Sequence, residues 1–152
     1  AEVQARYPEA TTVVGVATGA IAWGLLVAEA LDLPFAYVRA KAKGHGMQNL
    51  IEGKVEAGEK VVVIEDLVST GGSSTAAVKA LQAAGAEVLG TVAIFSYGFP
   101  EADAAFAATG TPFQALTSLE VLLDAATAAE YLPASAHATI MAWQQAPAKW
   151  QG

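Results

Sequence analysis

The sequence predicts an α/β fold, an open and mainly parallel twisted sheet flanked by helices, in one domain over residues 1–152. Three observations predict it. The apolar runs are of strand length and continuous, as in VVVI at 61–64, where a sheet with one wet face would alternate. Alanine-rich stretches of helical length stand between those runs, and parallel strands need such crossovers. Glycine, proline or aspartate breaks the apolar runs well short of a membrane span.

In chain order, AEVQARYPEA reads as the end of a helix and a loop. Thr12 to Ala17, rich in β-branched residues, is the first strand, and its turn ATGA leads into a helix from Ile21 to Leu31. PFAYVRA, Pro34 to Ala40, is the second strand. KAKGHGMQNLIEG, Lys41 to Gly53, has three glycines and little periodicity; it is too long for a tight connection and is expected to be a functional loop. The strand Lys60 to Glu65 follows, then a helix from Ser74 to Ala84 closed by Gly85, a residue that enters the left-handed cap conformation without a Cβ clash. Glu87 to Phe95 is the next strand, SYGFPEA leads to a short helix, and Pro112 to Thr117 is the last strand. Helices over Ser118 to Glu130 and Ala134 to Gln145 finish the chain, and no internal repeat or heptad run is visible.

Composition narrows the function. A hydrophobic content of 54% with 15% charged residues excludes disorder. Without cysteine there is no disulfide framework, thiolate metal site or thiol nucleophile, and the expected compartment is the reducing cytoplasm. A formal charge of −7 disfavours nucleic acid and acidic membranes, which are bound by neutralising phosphates, so neither is an expected partner. The basic residues are nevertheless clustered: of eight, Arg39, Lys41, Lys43 and Lys54 fall within sixteen positions, with His45 among them.

The stretch VVVIEDLVSTGGSS, Val61 to Ser74, carries the most chemistry. In an open parallel sheet ligands bind beyond the carboxyl ends of the strands, where this turn stands. Gly71 and Gly72 can adopt positive φ and let backbone N–H groups converge. Ser69, Thr70, Ser73 and Ser74 add hydroxyls at a helix start whose dipole favours anions. A phosphate suits this loop, although no lysine follows the glycines as in a Walker loop. An ordinary strand-to-helix turn, with Asp66 closing it and Ser73 as N-cap, is the alternative. The adjacent Glu65 and Asp66 favour the first reading. Two like charges about 4 Å apart repel by roughly 4 kcal/mol at an effective dielectric near 20, a cost that a plain turn has no reason to carry. A hydroxyl-bearing or cationic partner from outside the chain is therefore expected against them.

VVVIEDLVSTGGSS resembles the phosphoribosyl diphosphate (PRPP) motif of type I phosphoribosyltransferases. The upstream YVRAKAKGHGMQNLIEG is similar to the catalytic loop of the orotate phosphoribosyltransferases within that family. GVATGAIAWG at 15–24 and WQQAPAKW at 143–150 resemble one bacterial branch, so the likeness covers nearly the whole chain. The resemblance implies that Glu65 and Asp66 face the ribose hydroxyls of PRPP, that Val68, Ser69, Thr70, Gly71, Gly72 and Ser73 wrap its 5-phosphate, and that Leu67 is also among the PRPP-binding residues. It further implies that Ala17, Thr18 and Gly19 line the diphosphate side and that Ser69 also touches orotate. Mg²⁺ is implied as the cofactor, held mainly through PRPP and not by direct protein ligands. Arg39, Lys43 and His45 would fold over the departing diphosphate, neutralise its growing charge and exclude water, with Lys43, His45 and Asp66 as the catalytic set. A homodimer sharing this loop between subunits is implied as well.

The activity so implied is transfer of a 5-phosphoribosyl group from PRPP to orotate, giving orotidine 5-phosphate and diphosphate in pyrimidine synthesis. Alternatives are a purine or xanthine phosphoribosyltransferase, which the KGHG signature disfavours, and a PRPP-sensing regulator that binds nucleic acid, which the acidic balance disfavours. Family members carry an N-terminal hood before the first core strand, and its absence here reads as a fragment. His137, Trp23, Trp143 and Trp150 read as structural residues, Lys41 as a solvated companion of Lys43, and SYGFP at 96–100 as a border of the base pocket. Ala40 and Thr18 stand where some members have lysine.

Overall fold

The computed structural model describes residues 2–39 and 50–150. Helix α1 (Glu2–Arg6) precedes strand β1 (Thr12–Val16), helix α2 (Ala20–Leu31), strand β2 (Phe35–Val38) and the two-residue strand β3 (Ile51–Glu52). Strand β4 (Lys60–Val68), helix α3 (Gly72–Ala83), strand β5 (Glu87–Ser96), helix α4 (Pro100–Ala107), strand β6 (Phe113–Ser118) and helices α5 (Leu119–Ala128) and α6 (Ala134–Gln145) follow.

The sheet order is β3-β2-β1-β4-β5-β6, parallel except for the β2–β3 edge. After β1 the chain moves outward to β2 and β3, then returns across β1 to place β4 on its other side. The order therefore reverses between β1 and β4, and the strand-end loops there diverge to opposite faces and leave a crevice.

Strand alternation sorts the core into two layers. Val61 and Val63 pack with Val14, Val16 and the α3 residues Ala77, Val78 and Leu81. Val62 and Ile64 face the other way, onto Val13, Val92 and Ala28 of α2. Because β1 and β4 are buried on both faces, their valine runs need no polar alternation. Helix α2 comes unusually close to β1: a Cβ on Gly15 would stand 2.8 Å from the Ala20 carbonyl oxygen, and one on Gly24 would stand 3.2 Å from the Gly15 Cα. Two glycines facing each other permit that approach, which draws the N-terminus of α2 down onto the end of β1.

The fold departs from the sequence expectation in three places. Strand β4 continues past Glu65 to Val68, because Leu67 and Val68 pair with Phe95 and Ser96 of β5. The supposed loop Lys41 to Gly53 contains β3, which a periodicity argument cannot find because it is two residues long; residues 40–49 lie outside the described residues. Helix α3 begins at Gly72, and Gly71, with φ +77°, takes the cap position assigned to Ser73, with no side-chain cap bond.

Candidate active site at the strand-order reversal

The loops after β1 and β4 meet in the crevice. Ala17 follows β1 directly, and its N–H donates to the Val38 carbonyl at 2.8 Å; the Ala17–Thr18 peptide is cis. Gly19, next in line, lies against Asp66: any Cβ at position 19 would overlap the Asp66 carboxylate. The structure thus brings together two predicted pieces, the Ala17 to Gly19 loop and the acidic pair, that are 46 or more residues apart in sequence.

The two acids have different environments. Asp66 is half-buried, with Oδ1 accepting the Leu67 N–H at 2.9 Å; both residues lie within β4, so this contact does not close the turn as the alternative reading expected. Glu65 is buried, with 3% of its surface exposed, and both its oxygens are engaged: Ser74 Oγ donates to Oε2 at 2.7 Å and the Asp66 N–H donates to Oε1 at 3.2 Å. Burial pushes its carboxyl up to about 7; the Ser74 hydroxyl and the Asp66 N–H favour the anion, while the Asp66 carboxyl and its charge favour the neutral acid.

This corrects the like-charge argument made from the sequence. Burial biases Glu65 towards its neutral form, which relieves part of the repulsion, and Glu65's hydroxyl partner comes from within the chain. Ser74, grouped above with the phosphate-facing hydroxyls, points instead into the core and is 1% exposed. The remaining cradle residues Ser69, Thr70, Gly72 and Ser73 are exposed, and Gly72 has nothing within 4 Å of where a Cβ would sit. Gly71 and Val68 are buried beneath them, and Leu67 is exposed. The loop therefore presents hydroxyls and an open backbone at the N-terminus of the twelve-residue α3, a setting that attracts anions.

Arg39 follows β2, one strand away, and its Nη1 pairs with Glu52 of β3 at 3.1 Å, both side chains about one-third exposed. Its backbone N–H donates to the Leu50 carbonyl, which ties the residue to the edge hairpin. Lys41, Lys43 and His45 lie outside the described residues. Among the described residues no cluster of three or more His, Cys, Asp or Glu could hold a metal.

The far side of the crevice is a feature the sequence showed only in part. Tyr97 N–H donates to the Val68 carbonyl at 3.0 Å, so SYGFP sits beside the cradle. Tyr97 and Phe99 stack with centroids 5.4 Å apart, and Trp143 of α6 meets both edge-on. Gln144 Nε2 donates to the Tyr97 carbonyl, fastening α6 to this loop. His137 Nε2 lies 3.0 Å from Asp124 Oδ1 and joins α6 to α5. Trp23 is half exposed and lines an apolar groove of about 560 Å³ with Leu26, Ile64, Val92 and Leu116.

Comparison with known proteins agrees with this geometry. Residues 6–105 match the Phosphoribosyl transferase domain family. The chain is 49% identical over 146 residues to the orotate phosphoribosyltransferase of Bacteroides fragilis, covering 96% of this chain and 69% of that relative. Among solved structures it is similar to Leishmania donovani UMP synthase, with a TM-score of 0.79 and 27% identity over 98% of this chain and 31% of that one. It is also similar to Mycobacterium tuberculosis orotate phosphoribosyltransferase in complex with PRPP, with a TM-score of 0.66 and 30% identity over 80% of this chain and 69% of that one. Catalytic-loop signature, crevice and relatives agree, and the chain belongs to the orotate phosphoribosyltransferase family of phosphoribosyl transferases.

Proposed function

We propose that PRPP docks in the crevice between β1 and β4 and that orotate attacks its ribose C1 there, releasing diphosphate. One observation carries the assignment: an exposed hydroxyl and amide cradle at the α3 N-terminus stands directly beside two carboxyl groups and the Ala17–Gly19 loop. Phosphate at one end of the sugar and diphosphate at the other match that separation of anion-binding from hydroxyl-binding groups. The 5-phosphate takes the loop from Leu67 to Ser73, the ribose hydroxyls meet Asp66 and Glu65, and the diphosphate lies along Ala17, Thr18 and Gly19. Ser69 also touches orotate, whose ring lies towards Tyr97.

Arg39 exchanges its Glu52 contact for the diphosphate as negative charge grows on the leaving group. Lys43 and His45 enter on the family resemblance alone, as cations closing over the same group. The side chains position and stabilise, and none needs to act as a nucleophile. Mg²⁺ would arrive with PRPP and be held mainly through PRPP oxygens. Bound with the diphosphate, the cation would neutralise leaving-group charge. A homodimer sharing the Lys43–His45 loop is part of the proposal, and the apolar groove around Trp23, Leu26 and Leu116 supplies surface that a second subunit would cover. No described helix is long and apolar enough to cross a membrane. A cytoplasmic site of action is likewise proposed.

Titration calorimetry with PRPP, with and without Mg²⁺, together with orotate consumption tests the reading. Saturable heat that needs Mg²⁺, and orotate turnover that needs PRPP, are expected. The absence of PRPP binding in the presence of Mg²⁺ would overturn the assignment.

A further inference from the structure

Ser74 has no ligand to hold. Its side chain is 1% exposed, and its hydroxyl donates at 2.7 Å to the buried Glu65. A buried hydroxyl–carboxyl bond in a helix's first turn has a purely structural alternative, the satisfaction of two buried polar groups. Three features favour a functional one. The acid it holds sits at the crevice next to Asp66, the bond fixes the carboxyl from the core side, and the second oxygen is held only by the longer 3.2 Å contact with the Asp66 N–H.

We propose that Ser74 is a positioning residue for the phosphoribosyl transfer: its hydroxyl anchors one oxygen of Glu65 and keeps that acid in the anionic, acceptor form that a ribose hydroxyl requires. This rests on the PRPP assignment above. An ionised carboxylate accepts at both oxygens and makes a charge-assisted bond to a ribose hydroxyl, whereas the neutral acid gives up acceptor capacity to its own proton and accepts more weakly. Burial and the Asp66 carboxyl favour the neutral acid, and the short Ser74 hydrogen bond opposes them together with the longer Asp66 N–H contact. Asp66 is the ionisable group acting on Glu65 among the described residues; α3 contributes Ser74 and β5 contributes Ala93, in register with Glu65, and neither ionises.

The test compares this chain with Ser74→Ala and Ser74→Thr, both checked for folding by circular dichroism and thermal melting. Carbon-13 NMR follows the Glu65 carboxyl through pH with no ligand present. Its titration midpoint is expected to rise by about one unit in Ser74→Ala, the size of shift that loss of one charge-assisted hydrogen bond produces. In steady-state assays KM for PRPP should rise roughly ten-fold near pH 6.5 and recover towards that of the unmodified chain near pH 9, because one pH unit is one decade in the ionised fraction. The turnover number should change little, and Ser74→Thr, which keeps the hydroxyl, should behave as serine does. An unmoved NMR midpoint, or a KM change equal at both pH values, would overturn the role for Ser74 while leaving the PRPP assignment standing. Failure of the unmodified chain to bind PRPP would overturn both.

Discussion

Glu65→Gln separates the structural cost of the buried acid from its use. The carboxyl is pushed from an ordinary 4.5 to about 7 in the folded chain. Between those values the folded protein holds a proton that the unfolded chain has released. Stability is therefore fully present below pH 4.5, falls as pH rises through 7, and levels off above it. At about 1.4 kcal/mol per unit, the loss between pH 5 and pH 8.5 is about 2 to 3 kcal/mol. Glutamine keeps the shape and cannot ionise; its oxygen can accept the Asp66 N–H while its amide donates to Ser74 Oγ, so neither partner is orphaned. Urea unfolding at the two pH values should show Glu65→Gln gaining that 2 to 3 kcal/mol on the native chain as pH rises. PRPP-dependent orotate consumption should meanwhile fall at least ten-fold at pH 8.5, as expected when an active site keeps a group that the fold would rather lose. A stability difference between the two proteins that does not change with pH would refute the account of Glu65 as a buried, proton-holding acid.

Three further substitutions probe the rest of the crevice. Gly19→Ala places a methyl on the Asp66 carboxylate, so the loop or the acid must move, and KM for PRPP should rise at least ten-fold in a chain whose far-ultraviolet circular dichroism is unchanged. Gly71→Ala forces a side chain to φ +77° and should cost about 1 to 2 kcal/mol by urea unfolding, while Gly72→Ala, one residue on with open space around it, should stay within about 0.5 kcal/mol of the native value. Arg39→Ala breaks an ion pair about one-third exposed and should cost no more than about 1 kcal/mol of stability, yet lower the orotate turnover number more than it raises KM for PRPP, which separates charge stabilisation from packing.

The sheet was legible because double burial leaves a mark in sequence. Strands β1, β4 and β5 and helices α2 and α6 begin and end within a few residues of where apolar runs, alanine stretches and glycine breaks put them. The edge hairpin was not legible, since Ile51 and Glu52 are held by pairing with Val38 and Tyr37 and carry no pattern of their own. The cradle was visible as a glycine pair with hydroxyls, but which serine faces solvent is a matter of helix phase. A two-residue difference in where α3 begins decides whether Ser73 caps it and whether Ser74 turns inward, and Gly71's left-handed backbone made that decision. Nor could the sequence show that Gln144 and Trp143 reach back 47 and 46 residues to Tyr97.

The inward turn of Ser74 changes how the acidic pair should be understood. In a strand, consecutive side chains leave on opposite faces, so Glu65 continues the Val61–Val63 side towards α3 while Asp66 reaches the start of α2 at Gly19. A sugar in the crevice then meets one acid that is half-buried and another that is buried, pushed towards its neutral form and held from behind by Ser74. The contribution of Glu65 is therefore expected to grow as pH rises through 7. A pair of acids that looks redundant in sequence is divided by burial: Glu65 is enclosed and pushed towards its neutral form, while Asp66 stays at the edge of the crevice.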